Sequence, residues 1–130
     1  MNFNKLLCII FIIFSLIFFS SPAVYAAQKG VDFHTTSVSI EPNKEIINGY
    51  FFNYTPRSVI VAQLSLNVFI TDLLKGTTVV SDHAIFTDLN INIDSQKRVN
   101  HVFVIKNENF HGYTGQYHWK ISSNIWFVNK

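Results

Sequence analysis

Five histidines, eight acidic residues and a run of aromatic side chains are the groups in this 130-residue chain that could do chemistry. A chelating pair of histidines within one strand needs His-x-His spacing, because residues i and i+2 share a face. His34, His83, His101, His111 and His118 contain no such pair, so the spacing favours dispersed histidines. Ser81-Asp82-His83 holds the residue types of a nucleophilic triad. Strand neighbours point to opposite faces, so these three cannot form a relay among themselves. Asp88, Asn90 and Asn92 place oxygens at the first, third and fifth positions of a calcium loop. The sixth position is Ile93 where glycine is required, and the twelfth is Val99 where glutamate is required. Strand alternation explains the same spacing, with Asp88, Asn90, Asn92 and Asp94 out and Leu89, Ile91 and Ile93 in. There is no Gly-x-Ser-x-Gly elbow, no phosphate-cradling glycine loop and no paired-carboxylate signal. The residues thus read as a protein with no catalytic set, no metal ligands and no cofactor.

Asn53-Tyr54-Thr55 is a glycosylation sequon followed directly by Pro56, and its plain reading is a turn. The segment NFHGYTGQYHWKISSNIWF, residues 109–127, is the surface of most interest. Its aromatics can stack on sugar rings or anchor a partner protein. Phe110, Tyr113, Tyr117 and Trp119 are the candidate binding residues, centred on loop 107–116. The competing reading places Tyr117 and Trp119 in the core, with Phe110 and Tyr113 covering one end of the fold.

These groups must be positioned by strands. After residue 27 no run of helix formers at helical spacing occurs, while aromatic, β-branched and Asn residues dominate. Strands are expected at 31–41, 45–54, 58–73, 77–86, 89–94 and 98–107, with 116–130 supplying one or two more. Turns are expected at Pro42-Asn43, 55–58, Lys75-Gly76 and 94–97, and a loop at 107–115. Gly49 marks a bulge or a close backbone approach. Tyr50, Phe52, Leu64, Leu66 and Val68 are expected in the core. The third strand has a fault in its alternation. Val59 and Val61 are odd-numbered, whereas Leu64, Leu66, Val68 and Ile70 are even. A period-two strand changes face only through an inserted residue or a break, which predicts a bulge or kink near Ala62-Gln63. About seven antiparallel strands in this length predict an all-β, immunoglobulin-like sandwich.

Ile47-Asn48-Gly49-Tyr50-Phe51-Phe52-Asn53-Tyr54-Thr55 resembles the opening of extracellular FxLYD-type and S-layer-associated (SLAP-type) domains, in which a strand ends in Asn and a small loop follows. Leu64 to Asp72, then Lys75-Gly76, is similar to their long apolar strand and its glycine turn. Phe86 to Ile105, with Asp94-Ser95 ahead of Phe103-Val104-Ile105, resembles their closing strands. Val68-Phe69-Ile70-Thr71-Asp72 stands where the aromatic-Leu-Tyr-Asp signature would be. The resemblance spans roughly residues 45–105 and implies a small β-sandwich accessory module of envelope or secreted proteins, with no reaction attached.

Residues 1–26 have the layout of a secretory signal peptide. Lys5 precedes the apolar run 6–19, and Val24 and Ala26 stand at the −3 and −1 positions of a cut before Ala27. An uncleaved anchor over 6–27 is the alternative. Residues 27–130 then form one domain, able to bury about two-thirds of its unfolded surface. Cys8 is the sole cysteine and lies in the apolar run, so that domain has no disulfide or thiolate site. Without Lys5 it carries nine basic against eight acidic residues. That balance argues against charge-driven binding of nucleic acid or a membrane surface. The expectation is an exported, non-catalytic module of the envelope or matrix that meets a protein or glycan partner, with β-strand addition at an exposed edge as one mode. A carbohydrate- or peptidoglycan-binding module using 109–127 is the first alternative, and a histidine-based metal enzyme or hydrolase the second.

Overall fold

Alternating apolar and polar residues pair into ladders in the computed structural model, which describes residues 29–108 and 110–130. The expected signal segment, its cut before Ala27 and the alternative anchor lie outside the described residues. Seven strands follow in order: β1 Val31–Glu41, β2 Lys44–Asn53, β3 Val59–Asp72, β4 Thr78–Phe86, β5 Ile91–Ile93, β6 Arg98–Lys106 and β7 Tyr117–Asn129. All their pairings are antiparallel, and no helix occurs among the described residues. The first sheet runs β1–β2–β6. In the second, β7 follows β3 from Val59↔Asn129 to Asp72↔Tyr117. That uses one whole edge of β3, so β4 and β5 share the other, β4 along Leu64–Thr71 and β5 along Val59–Val61.

Neither sheet closes on itself, and the core lies between them. Val31, Phe33, Ile47, Phe51 and Phe103 come from the first sheet. Val59, Val61, Leu64, Leu66, Val68, Ile70, Ile93, Ile125 and Phe127 come from the second. Phe33 meets Phe51 at 5.0 Å and Phe103 at 5.2 Å, and Phe86 of β4 reaches Phe103 across the layers at 4.6 Å. Burying such side chains contributes about 1.5–3 kcal/mol each.

The fault in β3 is a bulge at the expected place. The register with β7 shifts between Val61 and Gln63. Ala62 is the extra residue, exposed, with its carbonyl accepting from Leu89 N–H at 3.0 Å. Val59 and Val61 before it, and Leu64, Leu66, Val68 and Ile70 after it, are all completely buried. The bulge therefore lets both halves of the strand face one core.

On β2 the buried face is the opposite of the expected one. Glu45, Ile47, Gly49, Phe51 and Asn53 point inward, while Tyr50 and Phe52 stand half-exposed on the outer surface of the first sheet. Gly49 explains the choice. A Cβ there would run into the Phe33 ring and the His34 carbonyl, so the Phe33 ring occupies the space over a residue that must be glycine. The bulge near this point is in β1, where the register slips between Thr35 and Ser37. β5 is also shorter than the expected 89–94, because Asp88 (φ 55°) and Asn90 (φ 51°) take left-handed backbone that breaks the ladder.

Candidate functional site

The four aromatics singled out in the sequence gather where loop 107–116 meets the β1–β2 turn and β7. Phe110, Tyr117 and Trp119 are half-buried against the core. The Tyr117 hydroxyl donates to the Val38 carbonyl at 3.0 Å, tying β7 to β1. Tyr113 leans edge-on against Tyr117, ring centroids 6.2 Å apart. The loop is fastened to the β1–β2 turn: Asn43 N–H donates to the Phe110 carbonyl at 2.8 Å, and Asn107 N–H donates to the Asn43 carbonyl at 2.9 Å. Three of the four rings thus carry structure, and Tyr113 is the one whose ring does not pack on the core cluster.

The other polar candidates are dispersed. His83 faces Asn67 on the outer surface of the second sheet, Nδ1 to Oδ1 2.7 Å, while Asp82 turns to the opposite side. His34 lies on the outer face of the first sheet, and His101 is half-buried against Phe103 at 4.5 Å, where burial pushes its imidazole below the ordinary range. His111 and His118 are exposed. Among the described residues, no three His, Cys, Asp or Glu side chains are placed to hold a metal ion. Asn53 of the sequon is completely buried and fully used. Its amide donates to the Arg57 carbonyl at 2.7 Å and the Ile93 carbonyl at 3.1 Å, and its oxygen accepts from Thr55 N–H at 2.9 Å and the Thr55 hydroxyl at 2.6 Å.

The reversed face of β2 creates a surface that the sequence did not advertise. Tyr50 stacks on His34, centroids 5.0 Å apart and planes within 24°. The Arg98 guanidinium lies 5.3 Å from the Tyr50 ring centroid, a cation–π placement. Tyr54 caps the row through its hydroxyl, 3.1 Å from His34 Nε2, and its ring meets Phe52 at 4.4 Å. Beside Tyr50, the inward turn of Gly49 and His101 leaves a shallow groove of about 570 Å³, walled by Asn48, Arg98, Asn100 and Val102. Val102 and Val104 continue the face as exposed apolar side chains. An aromatic ring, a guanidinium and two amides around a depression can hydrogen-bond and stack.

Glu45 is the most unusual residue. It is completely buried, and neither carboxyl oxygen meets a donor group of the described residues. Burial, reinforced by the neighbouring Asp82 carboxyl, pushes Glu45 up to about 8. Asp82 in turn accepts from the Asn107 side-chain amide at 3.2 Å. Two carboxyls can share a hydrogen bond only when one is protonated. The raised value favours the protonated Glu45 acid, the form that can donate to a neighbouring carboxyl.

Comparison of the chain with known protein families and with curated protein sequences finds no match.

Proposed function

We propose that the protein is an exported, non-catalytic binding or assembly module of the cell envelope or extracellular matrix, built as an immunoglobulin-like sandwich akin to FxLYD-type and SLAP-type domains. The observation that carries this reading is the outer face of the first sheet. There the His34–Tyr50–Arg98 stack, the groove beside it and exposed Val102 and Val104 form one continuous recognition surface. Aromatic and Arg side chains are the groups that anchor protein and glycan partners. Among the described residues β6 ends the first sheet beside the same surface, an edge that would permit strand addition. Retention of the purified protein on cell-wall and matrix fractions tests the reading, compared with Arg98→Ala and Val102→Glu. Both side chains are solvent-exposed, so the variants keep the fold. Specific retention that falls about tenfold or more in the variants supports the reading, at the scale of a binding hot spot. Retention equal in all three proteins, or none at all, overturns it.

A second reading places a glycan against loop 107–116. It rests on Tyr113, because Phe110, Tyr117 and Trp119 are engaged with the core. Tyr113→Ala then removes glycan binding while Arg98→Ala does not.

A further inference from the structure

We propose that Glu45 and Asp82 form a proton-locked latch that holds loop 107–116 across one end of the molecule and lets it go when the shared proton leaves. The geometry joins four parts of the chain at one point. Glu45 projects inward from β2 and Asp82 from β4, so the pair bridges the two sheets. Asn107 extends the bridge into the loop. Its side chain donates to Asp82, its backbone N–H to the Asn43 carbonyl of the β1–β2 turn, and its own carbonyl accepts from Phe110 N–H at 3.0 Å. Gly112 then lies against Pro42 of the same turn. No donor group of the described residues satisfies the Glu45 oxygens.

Asp82 is the ionisable neighbour of Glu45 among the described residues. The strand partners of Glu45 across the first sheet are Ile40 of β1 and Ile105 of β6. Glu41 and Lys44 pair with each other at the surface, 3.1 Å apart. Lys106, Glu108 and His111 are exposed, and His83 points to the outer face of the second sheet. No cation is therefore at hand to receive a second negative charge. Loss of the proton to solvent leaves a charged, fully buried Glu45 beside the half-buried Asp82 carboxyl, and the repulsion is relieved by moving Asp82, Asn107 and the loop outward. The consequence is an alkaline-triggered opening that uncovers Phe110 and the end of the core, while the sheets stay paired.

Hydrogen–deuterium exchange of the 107–116 peptide in the purified protein tests this, at about pH 6.5 and about pH 9.5 and normalised to the intrinsic chemical rate. In the wild type, normalised exchange should rise about tenfold at the higher pH, with strand peptides unchanged. Glu45→Gln keeps a donor facing Asp82 and removes the titration, so its exchange stays slow at both. Asp82→Asn removes the opposing charge and weakens the rise, and it carries the comparison if Glu45→Gln does not fold. An equal rise in wild type and both variants, or no rise in the wild type, overturns the latch. Slow exchange restored at high pH by millimolar calcium overturns it too, and assigns the two acids to a cation.

Discussion

Glu45 makes the stability of this protein depend on pH in the reverse of the usual carboxylate sense. Its folded-state affinity for the proton is raised, to about 8 from 4.5. The stabilisation from the bound proton is complete below the unfolded value of 4.5. It declines as pH rises through the window between the two and is gone above the folded value. The slope there approaches about 1.4 kcal/mol per pH unit, the limit for one proton. Urea unfolding from pH 5 to pH 9 should show this decline, and Glu45→Gln should flatten it. A wild-type midpoint that rises steadily over that range would contradict the assignment. Asn53 offers a second prediction at this scale. Asn53→Ala strips four hydrogen bonds from a buried site and leaves the Ile93 carbonyl without its donor. A cost of about 2–4 kcal/mol follows from orphaning buried groups, read as a lower denaturation midpoint. Asp72 is used in the same way. It is buried at the end of β3, where its side chain accepts from Leu74 and Lys75 N–H at 2.8 and 2.6 Å and fixes the turn to β4.

At the scale of elements, β3 and β2 show what the sequence could and could not tell. Val59 and Val61 out of phase with Leu64 to Ile70 require a face change, and the bulge at Ala62 supplies it. The physical rule is strict, because an apolar strand cannot leave half its residues in water. Deleting Ala62 should therefore turn Val59 and Val61 outward and unfold the protein, seen as loss of the cooperative thermal transition. β2 was ambiguous for the opposite reason. Tyr50, Phe51 and Phe52 are all apolar, so either face could be the buried one, and Phe33 settles it by filling the space over Gly49. Gly49→Ala should cost about 1–3 kcal/mol by overpacking, while Tyr50→Ala, on the outer face, should cost less. The groove by Tyr50 was illegible for the same reason. The Glu45–Asp82 contact was illegible because strand spacing says which residues share a face and says nothing about which faces oppose each other across a core. The aromatics of 109–127 were found as a cluster, yet their division between packing and exposure depends on the loop's three-dimensional path.

At the scale of the whole molecule, the proposed export reading makes a covalent prediction. The secreted protein should begin at Ala27, and its intact mass should correspond to residues 27–130. A mass retaining residues 1–26 would favour the uncleaved anchor. The two sheets present different surfaces. The first offers a stacked aromatic face and valines, and its outer strand β6 is flanked by Lys97, Arg98 and Lys106. Such charges discourage self-association along an open strand edge.

The pairing of β3 with β7 has a consequence for synthesis. Val59 finds its partner in Asn129, a separation that a ribosome needs on the order of 3–14 s to bridge at about 5–20 residues per second. Until then the most apolar strand of the molecule has a bare flank. The second sheet is therefore completed only by the last residues to emerge, after every other pairing of the molecule has its partner within reach.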